Sequence, residues 1–133
     1  MKSPEAAIRT LLISAGIFGS RVYPIIAPTS AGYPFAVYRR TNVERESTFV
    51  GPMGSPKVSI DLTVLSDTYE SARTASDAAR EELDMWSGQV DDVFINNVAV
   101  TNESDDFVQL TGTELPPSYS VTLSLDVLWY EKE

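Results

Sequence analysis

Between Tyr119 and Tyr130 the chain alternates: Val121, Leu123, Leu125, Val127 and Trp129 fall on one side, Thr122, Ser124 and Asp126 on the other. Successive side chains of a strand leave the pleat on opposite faces, so a period of two is a strand signature. A strand with one apolar side belongs to a sheet with one covered and one wetter face. Lys57 to Leu65 repeats the pattern, with Val58, Ile60, Leu62 and Val64 set against Ser59, Asp61 and Thr63. The Pro116-Pro117 pair marks where the last strand begins. Whatever the fold, it must supply a cover for one side of these two strands.

Two segments have the helical period that such a cover needs. From Pro4 to Ala15, residues Ile8, Leu11, Leu12 and Ala15 form one apolar stripe. Ser3 is placed to cap this helix, Pro4 sits in its first turn, and Gly16 or Gly19 ends it. From Thr68 to Ser87 the stripe is Ala72, Ala75, Ala79, Leu83 and Trp86. Asp67 followed by Glu70 resembles a capping box, and Gly88 is the natural stop. The small residues of this stripe let a helix lie close to a sheet.

The remaining segments complete the order. Arg21 to Pro24 is a short extended piece, and Phe35 to Val43 is a strand with a half-clear pattern. Glu44 to Pro56 is a long loop whose second half holds two prolines and two glycines. Phe94 to Thr101 and Phe107 to Thr111 read as two strands joined by a polar, acidic turn over residues 102–106. The expected architecture is a single α+β domain over residues 1–133: a mostly antiparallel sheet of about four to five strands, with two helices packed on one face.

Composition narrows the function. A length of 133 residues suits one domain with its own core. The chain has no cysteine and no histidine, which removes disulfides, thiolate chemistry, sulfur-ligated zinc and the commonest general base. The acidic pairs and runs, Glu81-Glu82-Asp84, Asp91-Asp92 and Asp105-Asp106, lack the spacing of a calcium loop and read as solvated faces. Gly51-Pro52-Met53-Gly54-Ser55 lacks the lysine of a phosphate loop. No enzyme, metal or cofactor is expected. The formal charge of −9 opposes binding to phosphate backbones and to anionic membranes. The N-terminus does not read as a secretory signal, and the apolar stretch from Ala6 to Phe18 is too short to span a bilayer.

Four features in this order carry a family resemblance. An apolar N-terminal helix precedes Gly19-Ser20-Arg21-Val22-Tyr23-Pro24. Tyr33-Pro34-Phe35-Ala36-Val37-Tyr38 enters the first long strand. Val58-Ser59-Ile60-Asp61-Leu62-Thr63-Val64 runs into a helix containing Tyr69-Glu70-Ser71-Ala72-Arg73, and a strand ending in Trp129-Tyr130 closes the chain. Over nearly its whole length the chain resembles the tail-completion proteins of long-tailed phages, which include tail terminators and tail-to-head joining proteins. The resemblance implies a virion subunit, assembled in the host cytoplasm, that forms a hexameric ring at the head-proximal end of the tail tube. Its implied partners are further copies of itself, the tail tube protein and the head connector, with DNA passing through the lumen without specific binding. The loop at 44–56 would correspond to the family's extended hairpin. Two alternatives stand beside this one: a head-completion or connector protein, and a small non-viral binding module.

Candidate contact residues follow from chemistry and exposure. Tyr23 is an aromatic anchor on a short strand. Arg39 and Arg40 are the one basic pair, and on a strand they point to opposite faces, which suits an ion pair to a neighbouring subunit, or plain solvation, better than a DNA patch. Arg45, Phe49, Val50 and Met53 lie in the long loop, where the three apolar side chains are out of place unless something covers them.

Overall fold

The computed structural model describes residues 4–25, 34–44, 47–48, 51–52, 57–90, 93–108 and 118–131. In chain order the elements are α1 (Pro4–Ala15), β1 (Val22–Pro24), β2 (Phe35–Glu44), β3 (Ser47–Thr48), β4 (Gly51–Pro52), β5 (Lys57–Ser66), α2 (Tyr69–Leu83), β6 (Gly88–Val90), β7 (Val93–Val108) and β8 (Ser118–Glu131). Six strands form one sheet in the order β1-β2-β5-β8-β7-β6, and β3 pairs with β4 as a separate two-stranded ladder inside the long loop.

The two alternating segments lie side by side. β5 and β8 pair antiparallel, with Val58 opposite Val127, Ile60 opposite Leu125, Leu62 opposite Leu123 and Val64 opposite Val121. All eight of these side chains are buried. Fully burying a side chain of this size contributes about 1.5–3 kcal/mol, so these cross-strand rows are the centre of the core.

The sheet is larger and more mixed than expected. It has six strands, and β1 joins β2 in parallel, with Val22 opposite Ala36 and Pro24 opposite Tyr38. β6 is a further edge strand of three residues, paired to Val93–Ile95. The expected turn at 102–106 is instead part of β7, whose pairing with β8 continues from Val93–Glu131 to Val108–Ser118. Residues 101–106 are all exposed. A strand that is wet on both sides loses the alternation that identifies it, so it reads as a turn. Register shifts between Ile95 and Asn97 and between Val100 and Asn102 mark two bulges in this strand. Bulges bend and twist a strand, and the sheet curls far enough for α1 to touch β1 and β2 near one edge and β7 near the other.

Both helices lie over the buried face. α2 packs on β5, β7 and β8 through Ala72, Ala75, Ser76, Ala79 and Leu83, and its small side chains bring the helix axis close to the sheet. Its N-cap is Thr68, one residue later than expected: Oγ1 accepts from the Ser71 backbone N–H at 3.1 Å. Asp67 instead accepts from the Ser66 hydroxyl at 3.2 Å. α2 also ends earlier, at Leu83, so Trp86 lies beyond it and pairs its backbone with Val98, whose N–H donates to the Trp86 carbonyl at 3.1 Å. α1 buries Pro4, Ala7, Ile8 and Leu12, whereas Ala15 from the expected stripe is exposed. Gly16 ends α1 with φ +77°, and this turn carries Phe18 into the core.

Candidate assembly surfaces

Three of the seven candidate contact residues lie among the described residues. Tyr23 is half-buried on β1 and meets Phe35 edge-to-face, with centroids 6.2 Å apart and an interplanar angle of 65°. Arg39 and Arg40 are both exposed on β2. Arg39 lies across from Asp61, and Arg40 from Ile60, which puts the two on opposite faces of the sheet. Arg45, Phe49, Val50 and Met53 fall outside the described residues.

The open face of the sheet holds a feature that alternation alone does not reveal. Three successive rows between β5 and β8 are joined by side-chain hydrogen bonds. The Ser59 hydroxyl donates to Asp126 at 2.8 Å, the Ser124 hydroxyl donates to Asp61 at 3.2 Å, and the Thr63 and Thr122 hydroxyls meet at 3.1 Å. Each pair is directly opposite in the ladder, where cross-strand side chains interact most strongly. Lys57 adds an ion pair to Asp126 at 3.5 Å. This face therefore satisfies its own polar groups and presents two carboxylates that already accept hydrogen bonds.

Beside this ladder lies a groove of about 310 Å³, lined in part by Ile25, Val37, Arg39, Asp61 and Leu65. Ile25 is 70 % exposed and has φ +66°. A β-branched residue in the left-handed region is a genuine outlier. Its N–H donates to the Tyr38 carbonyl at 2.9 Å, which holds the chain in place as β1 ends.

A second polar cluster ties the exposed half of β7 to α2. The Tyr69 hydroxyl donates to Asp105 Oδ2 at 2.6 Å, and Arg73 Nη1 donates to the Tyr69 hydroxyl at 3.1 Å. The Arg73 guanidinium also lies 5.9 Å from the centroid of the Tyr69 ring, which meets Tyr119 edge-to-face at 6.1 Å. Its hydrogen bond to Tyr69 pushes Arg73 further above its already high ordinary value; arginine is charged at any relevant pH, so this steadies a fixed cation.

Among the described residues no three acidic side chains come together to hold a metal ion, and no helix is long and apolar enough to cross a membrane. Burial pushes the Tyr38 phenol above its ordinary value; the Arg9 charge opposes this and Glu5 adds to it. Glu5 Oε2 and Trp129 Nε1 are buried with no hydrogen-bond partner among the described residues.

Comparison with known proteins gives the surfaces a context. The family of tail completion protein gp17 matches residues 3–115. No curated protein matches the chain. Among solved structures, a chain from the virion of a native gene transfer agent particle is similar, with a TM-score of 0.73 at 14 % identity, covering 96 % of this chain and 94 % of that one. The family match stops short of β8, yet the shared fold runs through nearly all of the chain, including the strand that bridges β5 and β7. With the family matched over most of its length, the chain belongs to the tail completion protein gp17 family and is a structural protein of the virion tail.

Proposed function

We propose that this subunit forms a ring at the head-proximal end of the tail tube, where it ends tube polymerisation and offers the surface that the head joins. The observation that carries this reading is membership of the tail completion family. The fold agrees with the mechanism such a role requires. The two ends of the sheet differ: β2 leads into the β3–β4 ladder at one end, and the β7–β8 connection leaves from the other. A ring built from such subunits has two unlike faces. One can match the last ring of the tube while the other cannot nucleate a further one. Copies joined head-to-tail close into a ring when the rotation closes, six being the number the family resemblance implies.

The charge suits a conduit. At −9 per subunit, a ring would repel the phosphates of passing DNA over about 8 Å in physiological salt, so the duplex would slide rather than bind. The non-viral binding module gives way to the family match.

Deleting the gene from its parental particle and imaging the lysate tests the reading. Headless tails of abnormal length beside filled heads are expected. Tails of normal length beside heads that leak DNA would move the subunit to the head side of the joint. Intact infectious particles would remove both assignments.

A further inference from the structure

α2 ends on a rigid corner. Leu83, its last residue, is fully buried, and the chain then turns through Asp84 and Met85 toward β6. Met85 has φ +62°, in the left-handed region, and is 79 % exposed. Residues other than glycine avoid that region unless their surroundings impose it, and such residues gather where a protein makes contacts. Here β7 imposes it. The Met85 N–H donates to the Val98 carbonyl at 2.6 Å, the Val98 N–H donates to the Trp86 carbonyl at 3.1 Å, and Asp84 accepts from the Val100 N–H at 3.2 Å. Three hydrogen bonds to one strand thus hold a large apolar side chain out in water.

Negative charge adjoins this side chain. Glu81, Glu82 and Asp84 are all exposed, and neither glutamate makes an ion pair among the described residues. Arg80, just before them, pairs with Asp77 at 3.9 Å. As a run of sequence these acids read as a solvated face; a fixed, protruding Met85 beside them makes a contact surface of stated chemistry, apolar at its centre and acidic around it. Its complement is an apolar socket with a basic rim. A second copy of the chain does not offer one among the described residues. Arg9, Arg21, Lys57, Arg73 and Arg80 are engaged within the chain. Arg39 and Arg40 remain, and they stand on opposite faces of the sheet, so they cannot together rim one socket.

We infer that Met85 is a contact anchor that seats in an apolar socket, rimmed by lysine or arginine, on a different protein of the virion. This rests on the place of the chain in the virion tail and not on the ring reading. The corner is already held in its bound shape, so little ordering is lost on contact. The unbranched thioether adapts to the socket it enters. Glu81, Glu82 and Asp84 select a basic rim and repel other copies of this acidic chain.

Peroxide footprinting tests it. A thioether takes one oxygen from hydrogen peroxide, releasing water, only where peroxide reaches the sulfur. Mass spectrometry reads the Met85 sulfoxide in the purified chain and in complete particles. In the purified chain Met85 is expected to oxidise as fast as a methionine in a short peptide, and in particles about 10-fold or more slowly. Equal rates in the two would leave Met85 uncovered and overturn the inference. Protection already present in assemblies of the purified chain alone would make a second copy the occupant and overturn it equally. The rim is tested by Glu81→Lys with Glu82→Lys, added to a lysate of particles that lack this subunit. Lysines in the last turn suit the helix dipole, so the fold should hold, which circular dichroism checks. The variant should need roughly 10-fold or more protein than the wild type to complete the particles, since like charges facing across a contact cost factors of ten. Completion at the wild-type concentration would remove the basic rim, and with it the assigned partner.

Discussion

β5 and the outer half of β7 both belong to the six-stranded sheet and both pair with β8, yet they are built from opposite kinds of sequence. β5 has β2 on one side, β8 on the other and α2 across its buried face, and its residues alternate between buried and half-buried along its whole length. β7 keeps buried residues at Val93, Ile95 and Val98, then runs through Thr101–Asp106 with every side chain exposed. The backbone conformation is the same in both. Alternation therefore reports cover rather than strand geometry, and where helices stop covering a face the pattern disappears while the ladder continues.

The largest effect that would sharpen this contrast comes from β8, which touches both regions. Leu123 is fully buried opposite Leu62, whereas Ser104 is exposed opposite Thr122 on the β7 side. Leu123→Ala should cost about 2–5 kcal/mol in denaturant unfolding. Ser104→Ala should stay within about 0.5 kcal/mol. Similar costs at the two sites would mean that the outer half of β7 is covered after all.

The start of α2 comes next in size. Thr68→Ala removes the side chain that accepts from Ser71 and should cost about 1 kcal/mol, whereas Asp67→Ala should cost clearly less. The reverse order would restore Asp67 as the cap. The sequence alone does not separate the two, because either side chain can cap and only the backbone at Thr68, extended at φ −131° and ψ 150°, decides which does.

The same reasoning explains what was and was not legible. β8, β5 and the small-residue stripe of α2 follow from burial contrast, and the ends of α1 from Pro4 in the first turn and Gly16 after the last. β6 is three residues beginning at Gly88, mostly exposed, and β1 joins the sheet in parallel through a contact no local pattern encodes. Among the candidate contacts, Arg39 and Arg40 were legible as a charged pair on opposite faces. The Ser59–Asp126 and Asp61–Ser124 bonds were not, since each joins residues more than sixty apart and depends on strand register.

The smallest expected effect concerns what holds the exposed half of β7 in place. With Glu103 to Asp106 exposed, one visible tie to the covered region is the hydrogen bond from Tyr69 to Asp105. Tyr69→Phe keeps the ring against Tyr119 and removes the hydroxyl that serves both Asp105 and Arg73. Tyr69 is 42 % exposed, so water replaces much of what is lost, and the cost should be about 0.5–1 kcal/mol. The informative reading is local. Amide hydrogen exchange should quicken across residues 102–108 while β5 stays unchanged, because regions with few buried contacts open independently of the core. If these amides already exchange freely in the wild type, β7 ends near its second bulge and the expected turn returns. Equal quickening in β5 would instead make the outer half one cooperative unit with the core, and exposure would then be a poor guide to how firmly a strand is held.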